Sequence, residues 1–296
     1  MRELTTIASG LAFPEGPRWY DGYLYFSDMY GREVLRYREG TGVESVATVP
    51  MRPSGLARDA SGKLLVSSML DRRIVRIRDD GGLETFADLR EVCPGPVNDM
   101  IDDGRGGLYI GNFGFDDEAP DAVMTPTRLV HVNAEGVAAQ VGEPINFPNG
   151  TVVTGGGTRL LVAETFSCRI LAFDIAEDGS LSNRRNWAVF HELKNEYDQA
   201  EALGSGGILP DGICIDREGA LWVADAGGKG ALRVAEGGEI LDRVPAPDGS
   251  AVFAVALGGD QEDTLFLCIG PAMGSADLDV VRGGSLAACR LDVAKA

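Results

Sequence analysis

Histidine is almost missing from this chain: His131 and His191 are the only two in 296 residues. Both lie in apolar contexts, "RLVHVN" and "WAVFHEL", that read as strand positions, which removes a Ser-His-Asp hydrolase site. Cysteine is scattered. Cys93, Cys168, Cys214, Cys268 and Cys289 are odd in number, form no CxxC pair and fall mostly in apolar stretches such as "GICIDREG" and "LFLCIG". A zinc or disulfide framework is therefore excluded, and the pattern reads as buried free thiols in a reducing compartment. No run of about 18 apolar residues is present, so no transmembrane helix is expected. The opening "MRELTTIASGLAFPEG" has no basic start followed by an apolar core, so a soluble, cytoplasmic protein is expected. Basic clusters are also lacking: the formal net charge is -18. Phosphate-backbone partners need Lys/Arg clusters, so nucleic acid is excluded and a small-molecule ligand is expected.

What is present is a repeat. A short apolar strand, a Gly/Asp turn, a second strand carrying an aromatic, a polar end and a third strand recur six times. The copies include "GPRWYDGYLYFSDMYGREVLRY", "GLARDASGKLLVSSMLDRRIVRI" and "GICIDREGALWVADAGGKGALRV". Leu24, Leu64, Leu108, Leu160, Leu221 and Leu265 are equivalent points, spaced by about 48 residues on average. Glycine and aspartate in "DASGK", "DDGRGG" and "DREGA" supply hairpin chemistry. No long amphipathic helical window interrupts them. Four-stranded units of this size, repeated radially, predict an all-β, six-bladed β-propeller occupying 1–296 as one domain; a β-sandwich is the rival and does not ordinarily repeat sixfold. The segment "LTTIASGLAF" is placed as an outer strand completing the last blade, whose "SLAACRL" ends the chain.

In a propeller, equivalent positions converge on one axis. Counting back about ten residues from each reference leucine gives Glu15, Ser54, Asn98, Asn149, Asp211 and Val255. Four sit in one frame: "PEG" at 14–16, "PSG" at 53–55, "PNG" at 148–150 and "PDG" at 210–212. A single Pro-Asp-Gly is ordinary turn chemistry; four at one phase point to a shared site. Carboxylates and amides facing one another require a cation, and the oxygen ligands of Glu15, Asn149 and Asp211 suit a hard ion such as Ca²⁺, Mg²⁺ or Mn²⁺. A second polar set, Asp28, Ser68, Asn112, Glu164 and Asp225, follows four residues past each reference leucine, with Ile269 breaking the pattern. It is placed to orient the first set or to hold the blade loops.

"PEGPRW" with "LYFSD", "VNDMIDDGRGGLYIGNFGFD", "PNG" with "LLVAETFSCRILAFD", "LPDGICIDREGALWVADAGG" and "GGDQEDTLFLC", in this order, resemble the regucalcin and gluconolactonase family of six-bladed, metal-dependent lactone hydrolases over nearly the whole chain. The resemblance implies that Glu15, Asn149 and Asp211 hold the metal, with Ca²⁺ foremost and Mg²⁺, Mn²⁺ or Zn²⁺ as alternatives. It implies that Asn98 lies beside metal and substrate. The cation would polarise a lactone carbonyl and acidify water, with Asp211 as ligand and base and Asn98 holding a substrate oxygen. One departure is visible. Aldonolactone-hydrolysing members carry Arg-x-Asn-Asp-Gly, whereas here Pro96 stands in place of the Arg and Met100 in place of the Gly. A substrate less polyhydroxylated than an aldonolactone is expected.

Two insertions, 112–129 and 191–210, are placed on the metal face, where loops on a rigid scaffold carry specificity. They and neighbouring strand ends contribute Phe113, Phe115, Met124, Phe147, Phe166 and Tyr197 as candidate pocket walls beside Asn98. Two other readings remain open: the same metal propeller catalysing isomerisation or lyase chemistry, and a calcium-binding propeller without turnover.

Overall fold

Three of the repeats fold back on themselves through an aspartate that accepts from its own turn. Asp59 Oδ1 accepts from the amides of Ser61 and Lys63, Asp103 Oδ1 from Arg105 and Gly107, and Asp216 Oδ1 from Glu218 and Ala220, at 2.7–3.1 Å. Gly62, Gly106 and Gly219 complete these turns at φ of 80–92°, which an L side chain adopts only with strain. The result, in a computed structural model that describes residues 2, 4–116, 119, 121–195, 199–275, 277, 278 and 280–294, is six antiparallel sheets of four strands. Five are consecutive: blades 1 to 5 span 14–48, 53–88, 97–145, 148–189 and 210–244. Blade 6 takes three strands from 250–290, and Thr5–Leu11 pairs with Gly284–Arg290 as its outer strand. The N-terminal strand thus covers the last open sheet edge as expected, and the six-bladed propeller is the fold. Helix is confined, among the described residues, to Gln199–Gly204 inside the second insertion and one 3₁₀ turn, Thr165–Ser167.

The inner strands are Pro14–Tyr20, Pro53–Arg58, Val97–Asp102, Pro148–Thr154, Pro210–Ile215 and Ser250–Gly258. Successive inner strands contact one another around the ring. Each carries a bulge near its start, between Glu15 and Arg18, Pro53 and Leu56, Val97 and Met100, Pro148 and Thr151, Pro210 and Ile213, and Val252 and Ala254. The Pro-x-Gly frame is therefore bulge chemistry within a strand rather than a turn. Its glycine has a packing reason. A Cβ on Gly16 would meet Ser54 O at 2.6 Å, one on Gly55 Met100 N at 2.5 Å, and one on Gly150 Asp211 O at 2.5 Å. Neighbouring inner strands touch backbone to backbone at this height. Clusters of buried side chains fill the spaces between adjacent blades, for example Val152, Leu161, Ile170 and Ala172 of blade 4 against Ile213, Leu221 and Val223 of blade 5.

Two sequence expectations change. The sixth inner position is Phe253, not Val255: Val252 pairs with Ile269 as Pro53 pairs with Ser68. The blade 6 hairpin is longer, joining Leu257 to Leu265 where blade 2 joins Arg58 to Leu64, so a count of ten back from Leu265 stops two residues short. His131 lies in the strand Thr127–Val132, but His191 follows the strand Leu181–Val189 and sits in the second insertion.

Candidate active site

The bulges set the direction of the side chains at the start of each inner strand. Glu15, Asn98, Asn149 and Asp211 line one cavity of ≈ 290 Å³ together with Phe253, and all four are buried. The repeat phase read from sequence thus corresponds to a spatial cluster. Ser54 is buried beside it, its hydroxyl donating to Asn98 Oδ1 at 3.2 Å. With its oxygen so engaged, the Asn98 amide presents Nδ2, which donates to Asn149 Oδ1 at 3.3 Å. Asn149 Nδ2 in turn donates to Thr165 Oγ1 at 3.4 Å. These links leave the amide oxygens and nitrogens with assigned directions.

The carboxylates are less satisfied. Glu15 Oε2 accepts from the Gly16 amide at 2.9 Å, whereas Asp211 Oδ1 is buried with no hydrogen-bond partner among the described residues. Burial, and then repulsion from Asp99, push Glu15 up to about 8, against the opposing effects of the Gly16 amide and Arg18. Burial, and then repulsion from Glu15 and Asp99, raise Asp211 well above the ordinary carboxylate range. Asp99 has its own counter-charge in Arg18, at 3.0 Å. Among the described residues Glu15 and Asp211 have no ion-pair partner, so the pair brings two buried negative charges together when ionised. An orphaned carboxylate oxygen beside a second buried carboxylate and two amide side chains is a donor set that fits a hard divalent cation. Among the described residues no three His, Cys, Asp or Glu side chains cluster as a metal site; any such site must use amide oxygens, as proposed for Asn149.

The second polar set holds the loops that deliver the first. Asp28 accepts from the amides of Ala12 and Phe13 at 2.8–3.1 Å, Glu164 Oε1 from Asn146 at 2.7 Å and Asp225 Oδ1 from Leu209 at 2.8 Å. Each donor lies one or two residues before a Pro-x-Gly frame. Sequence reasoning missed a third set that links blades: Ser27 Oγ donates to Ser54 O at 2.6 Å, Ser67 Oγ to Asn98 O at 2.7 Å and Thr165 Oγ1 to Pro210 O at 2.8 Å. The serine shared by "LYFSD" and "LLVSS" was the available sign of it. Arg18 was missed too, although it is the lone charge at its phase, where other inner strands carry Ala57, Ile101, Val152 and Cys214.

The cavity walls are apolar. Phe113, Phe147 and Phe166 line it, joined by Phe13, Tyr30 and Phe253, which sequence reasoning did not name. Phe113 stacks on Phe147 with centroids 4.7 Å apart, and Phe13 tilts against Phe253 at 4.5 Å. Phe115 lies with its ring centroid 6.5 Å from that of Phe113, outside the lining, and Met124 packs against the buried cluster that includes Phe166. Tyr197 lies outside the described residues. Pro96 is part of the wall. The five cysteines are free thiols, four buried and Cys214 half-buried, and no described helix is long and apolar enough to cross a membrane.

Comparison with known proteins agrees with this architecture. The chain is 27% identical over 292 residues to the pentonolactonase XacC of Haloferax volcanii, covering 95% of this chain and 90% of that one. It is 25% identical over 258 residues to regucalcin of Danio rerio, covering 86% and 81%. The solved structure of a luciferin-regenerating enzyme superposes with a TM-score of 0.80 at 22% identity, over 100% of this chain and 98% of that one, a likeness of fold. Residues 13–269 match the family described as the SMP-30/Gluconolactonase/LRE-like region. With six blades, a polar ring at the start of the inner strands and this match over most of its length, the chain belongs to the SMP-30/gluconolactonase/LRE-like family.

Proposed function

We propose that this protein is a metal-dependent hydrolase that opens a lactone or related ester. One observation carries the reading: Glu15 and Asp211 face a common cavity with Asn98 and Asn149, and Asp211 Oδ1 is buried without a partner among the described residues. Glu15, Asn149 and Asp211 would hold a divalent cation, Ca²⁺ foremost on its oxygen-only donors. Such an ion, when bound, polarises an ester carbonyl and lowers the pKa of water. Asn98 orients the substrate: its carbonyl is held by Ser54, so its Nδ2–H is directed to an acceptor oxygen. Asp211 accepts the proton released by attacking water at its unpartnered oxygen, the role of a positioned general base. The aromatic walls exclude bulk water, which strengthens each of these contacts.

The apolar lining and Pro96 support a substrate other than a polyhydroxylated aldonolactone. Relatives named pentonolactonase and L-arabinolactonase support lactone opening in general. Free thiols are consistent with a reducing, cytoplasmic setting. The test is elemental analysis of the purified chain, followed by a lactone panel from aldonic to aryl and alkyl, with and without chelator. Chelator-sensitive ring opening is expected; a metal-free preparation as active as the loaded one would overturn the reading.

A further inference from the structure

The ring of side chains at the start of the inner strands is polar at five positions, Glu15, Ser54, Asn98, Asn149 and Asp211, and apolar at the sixth, Phe253. The inner strand of blade 6 contacts those of blades 5 and 1, so in ring order Phe253 stands between Asp211 and Glu15. All three line the cavity. Each of the other five blades gives that lining at least one side chain capable of hydrogen bonding: Glu15, Arg52, Asn98, Asn149 or Asp211. Among the described residues blade 6 gives none; its share is Phe253, Pro271, Ala272, Met273, Gly274 and Leu278.

Packing fixes this wall. The Phe253 ring lies 4.5 Å from that of Phe13, centroid to centroid. A Cβ at Gly270, on the neighbouring strand, would meet Phe253 Cε2 at 3.0 Å, so the ring rests on a bare stretch of backbone. Ala272 N donates to Gly249 O at 3.2 Å and ties the segment after Thr264–Pro271 to the entrance of the blade. The wall runs from Phe253, 5% exposed, at its base to Met273, 46% exposed, at its rim. Of the insertions 112–129 and 191–210, only Phe113 reaches the lining among the described residues; this blade 6 segment, which sequence reasoning did not single out, forms the wall instead. In a ring of six, blade 3 stands opposite blade 6, so a substrate whose oxygen is held by Asn98 turns its far side to Phe253. A hydroxyl placed there leaves water without gaining a side-chain partner, which costs about 10- to 100-fold in binding. A hydrocarbon group there gains about threefold for each methylene buried.

We propose that the substrate is a lactone bearing a hydrocarbon substituent, and that blade 6 is the subsite for that group, with Phe253 as its base and Met273 at its open end. The inference rests on the lactonase reading of the same cavity and deepens it. Phe253 acts here as a specificity-determining residue: it decides what the ring of the lactone carries, not how the ester is opened.

The test uses three γ-lactones that differ at the ring carbon next to the ring oxygen, which bears ethyl, the isosteric hydroxymethyl, or hexyl. The readouts are ratios of kcat/KM in wild type, F253L, F253N and M273S, with calorimetric affinities of the matching lactams reporting the same contact without ring opening. Wild type is expected to favour ethyl over hydroxymethyl by about 10- to 100-fold, and hexyl over ethyl by a further factor of about 10 or more. F253N is expected to bring the ethyl/hydroxymethyl ratio close to one, and F253L to retain most of it. M273S, changed at the exposed rim and outside the core, is expected to cut the hexyl gain by about threefold or more. A wild-type ethyl/hydroxymethyl ratio near or below one, the same ratio in F253N as in wild type, or a hexyl gain unchanged in M273S overturns the inference. Chelator-sensitive opening of all three lactones with no hydrocarbon preference would overturn it while the lactonase reading stands. Hydrocarbon-selective lactam binding with none of the lactones opened would instead support the subsite and count against the lactonase reading.

Discussion

Arg18 Nη2 donates to Asp99 Oδ1 at 3.0 Å, joining the inner strand of blade 1 to that of blade 3 past the intervening blade 2. The same guanidinium donates to Met100 O at 2.6 Å and to Pro17 O at 2.9 Å. It clamps the bulge that carries Asn98. Asp99 is buried and Arg18 largely so, with side chains 8% and 12% exposed. Removing one would strand the other charge away from water, so R18M is expected to lower the unfolding free energy by about 3–5 kcal/mol. The R18M/D99N double variant should lie closer to wild type than R18M alone. Urea unfolding of the three proteins measures this; equal losses in single and double variants would contradict the role assigned to the pair.

At the site itself, D211N and E15Q should each lower the metal retained after dialysis. D211N should also reduce ring opening by about 10² to 10⁴-fold, the range for loss of a general base. Elemental analysis beside a lactone assay tests both at once. Full metal content with wild-type turnover in D211N would remove Asp211 from the chemistry.

The raised carboxylates predict how stability depends on pH. Glu15 is shifted from 4.5 to about 8 and Asp211 is shifted in the same direction. Groups whose folded pKa is raised stabilise fully below the unfolded value and lose that contribution as pH rises through the folded one. The chelated protein should therefore melt several degrees lower at pH 8 than at pH 5. A divalent cation should reverse the trend, since it favours the ionised pair. Thermal melts at both pH values, with chelator and with Ca²⁺, give the comparison; D211N should flatten the pH dependence of the chelated form.

A glycine exchange separates packing from chemistry. In G150A the new Cβ would sit 2.5 Å from Asp211 O and from Ile213 N, backbone atoms that cannot rotate aside. An overpacking cost of about 1–3 kcal/mol is expected, with a fall in turnover because Asp211 must shift. Gly157, at φ 86° with nothing within 4 Å of a built Cβ, is the control. G157A should cost about 1 kcal/mol from backbone strain and leave turnover unchanged. Chemical denaturation and the lactone assay distinguish the two.

Much of the site was legible because a propeller converts chain period into angle. The six leucines and the Pro-x-Gly frames sufficed to bring Glu15, Asn149 and Asp211 to one height, and Asn98 followed from phase without its own frame. The same arithmetic failed in blade 6, where a longer hairpin moved the equivalent residue to Phe253. It also could not see that the frame's glycines serve contact between neighbouring strands.

The order of apolar strands and Asp/Gly turns, both local in chain and each dictated by its own side chains and dihedrals, was enough to determine the blades and their number. What only the tertiary structure decided are the contacts between blades: the Arg18–Asp99 clamp, the hydroxyls of Ser27 and Ser67 on neighbouring carbonyls, and the packing of Phe13 against Phe253. Those depend on the angle and spacing at which separate sheets meet around the axis. No stretch of sequence encodes that geometry by itself, because it is set jointly by the packing of all six.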